Sequence, residues 1–360
     1  MSMPLLTEHT GLGAVMTALG PETVPLHYGD PVAEHRAVRS RLGVADLSHR
    51  GVWRLQGPDA TRFLQGTLSN DVAALGPGEG CYALSLTGRG KIISDLVVLR
   101  RKEGFLMHAP AETRDAGFAS LDRFLIGDDA ELRDETGRIG IIGVYGPACR
   151  EAVSLFDEAL PELHEFHFAE RNFEDEPILL AASFWTGEKG IELLAPASVL
   201  PALWAALMER AAEAGGRPVG DAALDSLRLE AGVPRGGTDF DEETLPQSAA
   251  LEGALSHTKG CYRGQEIVLR VHTKGEVKHL LMGLVLDEAA GPLPARGTKL
   301  LIEGEERGWL TRFVHSPTLG KIIGLAYLQK PARTPGTSVT LASSPPRTAT
   351  VAPLPFYRRS

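Results

Sequence analysis

The sequence predicts an α+β protein built from two related units and followed by a smaller all-β domain. Three observations carry this reading. A strand, a Gly-Pro pair and a helix follow one another from Gly51 and again from Ile141, about 90 residues apart, the mark of a repeated supersecondary unit. Between the two copies lie β-rich runs with hairpin spacers. From about Val277 the chain changes to short strands at regular spacing with Gly and Pro turns, the pattern of a small barrel or sandwich.

Residues 31–42 start with Pro31, place Val38 and Leu42 four apart and meet Gly43, which predicts a short helix. Gly51–Gln56 reads as a strand. Gly57-Pro58-Asp59-Ala60 then opens a helix whose face carries Ala60, Phe63, Leu64 and Thr67 at i, i+3, i+4, i+7. Tyr82–Leu86, Ile92–Leu99 and Phe105–His108 form an antiparallel meander, spaced by Thr87–Lys91 and Lys102–Gly104. In the second copy, Ile141–Tyr145 is an apolar strand, followed by Gly146-Pro147-Ala148 and a helix through Val153 and Leu155. A long helix runs from about Ser198 to Ala214 and stops at Gly215-Gly216, and another follows over Ala222–Ala231, capped by Asp221. Six C-terminal strands follow: Leu280–Leu286, Thr298–Ile302, Trp309–His315, Ile322–Leu328, Ser338–Leu341 and Thr348–Val351. The expected partition is 1–276, holding two intertwined α+β units at about 30–140 and 141–276, and 277–360 for the β domain.

A chain of 360 residues, 43% hydrophobic and 23% charged, can bury a core divided among two or three domains. Met1–His9 lacks the basic start and apolar run of a secretory signal, and no stretch approaches the ~18 apolar residues that span a bilayer. The expectation is a cytoplasmic monomer without membrane contact. A net charge of -9 argues against holding nucleic acid by bulk electrostatics. Cys81, Cys149 and Cys261 lie far apart with no C-x-x-C spacing, so neither a disulfide framework nor a local metal motif is read. His257, His272 and His279 are too scattered to name as ligands. Asp239, Asp241, Glu242 and Glu243 lack the spacing of a calcium loop and read as a solvated loop.

Four places resist an ordinary structural reading. Lys259-Gly260-Cys261-Tyr262-Arg263-Gly264-Gln265-Glu266 puts a thiol between two cations, and nearby positive charge favours thiolate. The alternative is a small core cysteine in a strand leading into Ile267-Val268-Leu269. Arg228 sits four residues after Leu224, on the helix face shared with Leu227 and Ala231, where a guanidinium needs a partner, either an architectural carboxylate or a ligand. Asp95 interrupts an apolar strand on the face of Ile93 and Val97, either as an edge residue or as a buried carboxyl of raised pKa. Gly187 and Gly190 frame a turn that brings Trp185 and Glu192 together, an ordinary hairpin or an aromatic face beside a carboxylate suited to a flat heterocycle with N–H donors.

Lys259 to Glu266 matches the K-G-C-Y-x-G-Q-E octapeptide of the YgfZ proteins throughout, and the chain resembles that family. YgfZ proteins belong to the folate-binding superfamily of the glycine cleavage aminomethyltransferase, or T-protein. The broader resemblance covers about His35 to Tyr357, through Ala45–His49, Gly57–Ala60, Ser69–Val72, Thr186–Glu188, Leu227–Gly232, Ser316–Lys321 and Pro355–Tyr357. It implies a T-protein-like fold with a C-terminal antiparallel β-barrel, and tetrahydrofolate or a one-carbon derivative as cofactor. The YgfZ resemblance implies support of iron-sulfur cluster assembly or repair in transiently bound client enzymes, among them radical enzymes that thiolate tRNA. Two other functions stay open: aminomethyl transfer from a lipoyl carrier to tetrahydrofolate, and folate binding without turnover. By resemblance, Asp95 lies near the reactive nitrogens of the folate, Glu192 holds the pterin and Arg228 lines the pocket. Trp185 stands where T-proteins commonly have Tyr, and Ser94-Asp95 where they have two Asp. Cys261 and Asp95 are the candidate catalytic residues; Lys259, Gly260, Tyr262, Gly264, Gln265 and Glu266 complete the motif around the thiol.

Overall fold

The structure is a computed structural model that describes residues 4–156, 161–287 and 291–359; the first three residues of the Met1–His9 segment lie outside it. Strands Gly80–Leu86, Ile92–Arg100, Phe105–Ala109, Gly51–Gln56 and Glu131–Asp134 form one sheet in that order. A second, six-stranded sheet has the order Phe168–Phe173, Glu176–Ser183, Gly190–Pro196, Ile139–Tyr145, Gly43–Asp46 and Arg217–Pro218. The early strand Gly43–Asp46 pairs with Ile139–Tyr145, so the two units exchange chain.

Each sheet is packed on both faces, and strand alternation decides what each face carries. On the outer face of the first sheet, Leu96, Val98, Phe105 and Met107 pack beneath the helix Ala60–Thr67. The helix Leu200–Glu213 buries Leu200, Leu203, Trp204, Leu207 and Ala211 on the outer face of the second sheet, against Val144, Ile142 and Leu193. The inner faces meet through Val97, Leu99, Leu106, Tyr145, Ala181 and Leu194. Asp95, His108 and Glu192 share these inner faces by the same alternation, which is why three polar residues lie inside an apolar interface.

The helix Pro31–Ser40 starts at Asp30, whose carboxylate accepts from the Val32 and Ala33 amides ahead of a proline in the first turn. The helix expected at Ala222–Ala231 spans Asp221–Glu230, with Gly220 as its N-cap; Asp221 is its first residue and turns its carboxylate to Arg235 instead of capping. The octapeptide does not enter a strand: Gln265–Lys274 is a helix, and Gly264 before it has φ 80°. A Cβ there would lie 2.5 Å from the Thr87 carbonyl, so glycine is required for the loop to seat on the Thr87–Lys91 turn.

The C-terminal strands close into a six-stranded antiparallel barrel, ordered Leu280–Leu286, Lys321–Leu328, Glu305–Ser316, Lys299–Ile302, Ser338–Leu341 and Arg347–Ala352. Its side packs on the first part of the chain through Leu229 with Leu281, Ile323, Leu325 and Tyr327. No helix among the described residues is long and apolar enough to cross a membrane.

Candidate functional site

Between the inner sheet faces and the helix Asp221–Glu230 is a cavity that brings polar and aromatic side chains of distant segments together. The helix presents Asp221, Leu224, Asp225 and Arg228 to it, at the i, i+3, i+4, i+7 spacing of one face. Asp95, Tyr82 and His108 come from the first sheet, and Trp185 comes from the hairpin between strands of the second.

Asp95 lies in an interior strand and is 6% exposed, which excludes the edge-residue alternative. Its Oδ2 accepts from the Tyr82 hydroxyl at 2.9 Å, while its Oδ1 is buried with no partner. Burial raises its pKa above the ordinary carboxylate range, and the Tyr82 hydroxyl and Arg228 only partly offset this. Arg228 is half-buried; its Nη2 donates to the Pro234 carbonyl at 3.0 Å and its Nε is buried without a partner. Burial, with Arg235 and Arg312 close by, lowers its pKa. Two facing groups of opposite sign therefore each retain an unsatisfied atom, a costly arrangement unless a ligand completes it.

Trp185 and Tyr82 meet edge to face at 5.0 Å, and Phe166 lies 5.6 Å from Trp185 and 6.3 Å from Tyr82, giving the cavity an aromatic wall. A flat heterocycle with N–H donors fits this combination of ring faces, a carboxyl acceptor and a guanidinium.

Glu192 is placed differently from the sequence expectation. It is 2% exposed and does not line the cavity. Its Oε1 accepts from Tyr145 at 2.7 Å and from Ser183 at 3.0 Å, and its Oε2 from Arg50 at 2.9 Å. Burial raises the carboxyl pKa, but the Arg50 guanidinium and the two hydroxyls outweigh it and bring it below the ordinary value. Sequence reasoning missed Arg50 and His108, which do line the cavity. His108 could have been found by the alternation that singles out Asp95, since it shares a strand face with Leu106. Burial pushes His108 down to about 4, so its imidazole is neutral at physiological pH.

Arg235 was also missed. It joins Glu112 at 2.8 Å, Asp221 at 3.0 Å and Asp225 at 3.4 Å in the cavity wall. Asp239, read from sequence as part of a solvated loop, is 1% exposed; it pairs with Arg312 of the barrel at 3.0 Å and accepts from Thr311 at 2.7 Å.

Cys261 is not brought to this cavity. It is exposed in a separate groove with Phe63, Thr67, Phe124, Tyr262 and Arg263, so the core-cysteine alternative is excluded. The flanking cations also point elsewhere. Lys259 Nζ donates to the Leu68 and Asn70 carbonyls, each at 2.7 Å, and the Arg263 guanidinium stacks 4.0 Å from the Phe124 ring. Tyr262 packs with Leu84, Leu86, Ile92 and Val268. Gln265 donates to the Gly260 carbonyl at 3.3 Å, and Glu266 is exposed. Most of the octapeptide is thus a clasp that leaves one thiol in solvent.

Comparison with known proteins agrees with this architecture. Residues 5–259 match the GCVT N-terminal domain family and residues 280–358 the glycine cleavage T-protein C-terminal barrel domain. The chain is 36% identical over 358 residues to an aminomethyltransferase of Rubrobacter xylanophilus, covering 99% of this chain and 94% of the relative. It is 34% identical to an aminomethyltransferase of Streptomyces avermitilis, over 98% of this chain and 96% of that one. The crystal structure of glycine cleavage system aminomethyltransferase T from Bartonella henselae superposes with a TM-score of 0.90 at 28% identity, covering 99% and 98% of the two chains. Matched from the first sheet through the closed barrel, this chain belongs to the glycine cleavage T-protein family.

Proposed function

We propose that the chain binds tetrahydrofolate in the central cavity and acts as an aminomethyltransferase, moving an aminomethyl carbon from a lipoyl carrier protein to the folate with release of ammonia. The carrying observation is the Asp95 carboxyl: buried, raised in pKa and satisfied at one oxygen only, in a chain that aligns end to end with aminomethyltransferases. The comparisons favour this reading over the iron-sulfur function that the octapeptide suggests.

Folate supplies the nitrogens that accept the one-carbon unit. The protein's part is to hold, orient and exclude water. Trp185 and Tyr82 offer ring faces to the pterin, and Arg228 offers its Nε to an acceptor. Asp95 can hold a proton at Oδ1, or accept one there more readily than an ordinary aspartate, because burial weakens it as an acid. Tyr82 fixes the other oxygen, so the proton position is set in advance.

Calorimetry with tetrahydrofolate and its 5-formyl derivative on wild type and Asp95→Ala, together with methylene-tetrahydrofolate formation from aminomethylated carrier, tests the proposal. Binding with turnover supports it. Binding without turnover leaves a folate-binding module, and no binding overturns it.

A second reading rests on the octapeptide and the exposed Cys261 thiol: a YgfZ-type protein that uses folate to support iron-sulfur client enzymes. A Cys261→Ala variant that fully restores tRNA-thiolating client activity in a deletion strain removes the thiol from that reading.

A further inference from the structure

We infer that Tyr357, in the segment that follows the last barrel strand, is a positioning residue for the folate site: it straps the turn that carries Trp185 to the helix that carries Arg228. This rests on the folate reading above and extends it to a residue outside the cavity.

Two bonds from this one residue reach different walls of the cavity. The Tyr357 amide donates to the Glu230 carbonyl at 2.9 Å, at the end of the helix Asp221–Glu230 that presents Arg228. Its hydroxyl donates to Glu188 Oε1 at 2.9 Å, three residues after Trp185. Glu188 is 2% exposed, so this bond to a carboxylate lies out of water, where its loss is felt more than at the surface. Arg39 completes the arrangement from the helix Pro31–Ser40. Its guanidinium stands 3.9 Å from the centre of the Tyr357 ring, and its Nη1 donates to the Thr186 carbonyl at 2.8 Å and to Glu188 Oε1 at 3.2 Å.

The turn itself has little slack. The Gly187 amide donates to the Phe184 carbonyl at 2.9 Å, and a Cβ on Gly187 would stand 3.3 Å from the Ala231 Cβ and 3.6 Å from the Tyr357 ring. Trp185 is held between these two fixed neighbours, with its ring 5.0 Å from Tyr82. Arg39, Glu188 and Tyr357 do not line the cavity, whereas Trp185 does, so what they do to a ligand passes through the indole. Without the Tyr357 hydroxyl, Glu188 is left to Arg39 and to Arg359, 3.6 Å from its Oε2, and the turn loses its hydrogen-bonded tie to the segment fixed on Glu230.

The test is a double-mutant cycle on tetrahydrofolate affinity with Tyr357→Phe, Trp185→Ala and the double variant, by calorimetry at a temperature where circular dichroism shows all four proteins folded. Phenylalanine keeps the ring over Arg39 and the amide on Glu230, so only the bond to Glu188 is removed. The expected result is binding about fivefold weaker in Tyr357→Phe, about tenfold weaker or more in Trp185→Ala, and a double variant within about twofold of Trp185→Ala, because a strap acting through the indole has nothing left to position once the indole is gone. A purely architectural Tyr357 would instead lower the melting temperature equally with and without Trp185 and leave affinity unchanged. Tyr357→Phe or Trp185→Ala binding as wild type, or losses that multiply in the double variant, overturn the inference while leaving the folate reading intact. A wild type that binds no folate removes both.

Discussion

Gly236 lies against Asp95 so closely that a Cβ at position 236 would stand 2.8 Å from Asp95 Oδ1. The missing side chain and the unpartnered oxygen are two sides of one arrangement. The same Cβ would also press on the Phe240 ring at 3.3 Å, so the loop has little room to yield. Gly236→Ala should leave the fold intact but displace the carboxyl, reducing turnover by roughly tenfold to a hundredfold, as for small misplacements of a reacting group. Steady-state kinetics with folate binding measured in parallel checks this; unchanged turnover would show that Oδ1 is not used.

Asp95 should cost stability at neutral pH. Burial raises its folded pKa above the ordinary 3.8, so its contribution is fully present below that value and is lost as pH rises through the raised one. Asp95→Asn should therefore raise stability by about 1 kcal/mol at pH 7 while reducing turnover. Thermal melts across pH read the sign: the advantage of the variant should shrink as pH falls toward the ordinary aspartate range.

Glu230 should behave in the opposite sense. It ties three parts of the chain, accepting from Arg39 at 2.7 Å, from Ser316 of the barrel and from the Thr318 amide at 3.3 Å. Burial raises its pKa, but His35, Ser316 and Arg39 outweigh this and bring it down to about 2. Its contribution is present above the ordinary 4.5 and is lost as pH falls toward about 2. Glu230→Gln should cost about 3 kcal/mol at pH 7, as when one partner of a buried charged network is removed. Urea midpoints should separate variant from wild type at pH 7 and converge in acid.

Cys261 should react first with iodoacetamide among the three thiols. It is exposed, whereas Cys149 is buried and burial pushes Cys81 up to about 12. Its groove shares no lining residue with the central cavity, so alkylation should leave folate affinity within about twofold of wild type. Peptide mass spectrometry and calorimetry on the alkylated protein check both statements, and a large loss of affinity would connect the two sites.

Much of the fold is legible in the chain because its signals are local. Helix faces such as Ala60, Phe63, Leu64 and Thr67, the Gly-Pro pairs after two strands and the six C-terminal strand runs each depend on spacing within a few residues. Asp95 and Arg228 were legible for the same reason: a charged residue out of phase with an apolar period is visible without knowing what faces it. The helix at Gln265–Lys274 was not, since its short apolar run Ile267-Val268-Leu269 fits a strand as well as a buried helix turn. The surroundings of Cys261 were hidden for a related reason. Two cations beside it in sequence imply nothing about direction, and the tertiary structure sends Lys259 to the Leu68 and Asn70 carbonyls and Arg263 to Phe124.

By itself, then, the sequence determined the order of the elements, the division into repeated α+β units and barrel, and the presence of polar residues on apolar faces. Only the tertiary structure decided which of them meet. Glu192 and Arg50 are 142 positions apart, and their pairing follows from two sheets packing inner face to inner face. Periodicity along a strand selects a face, but the partner across that face is chosen by packing between distant segments, which leaves no mark in the spacing of either one.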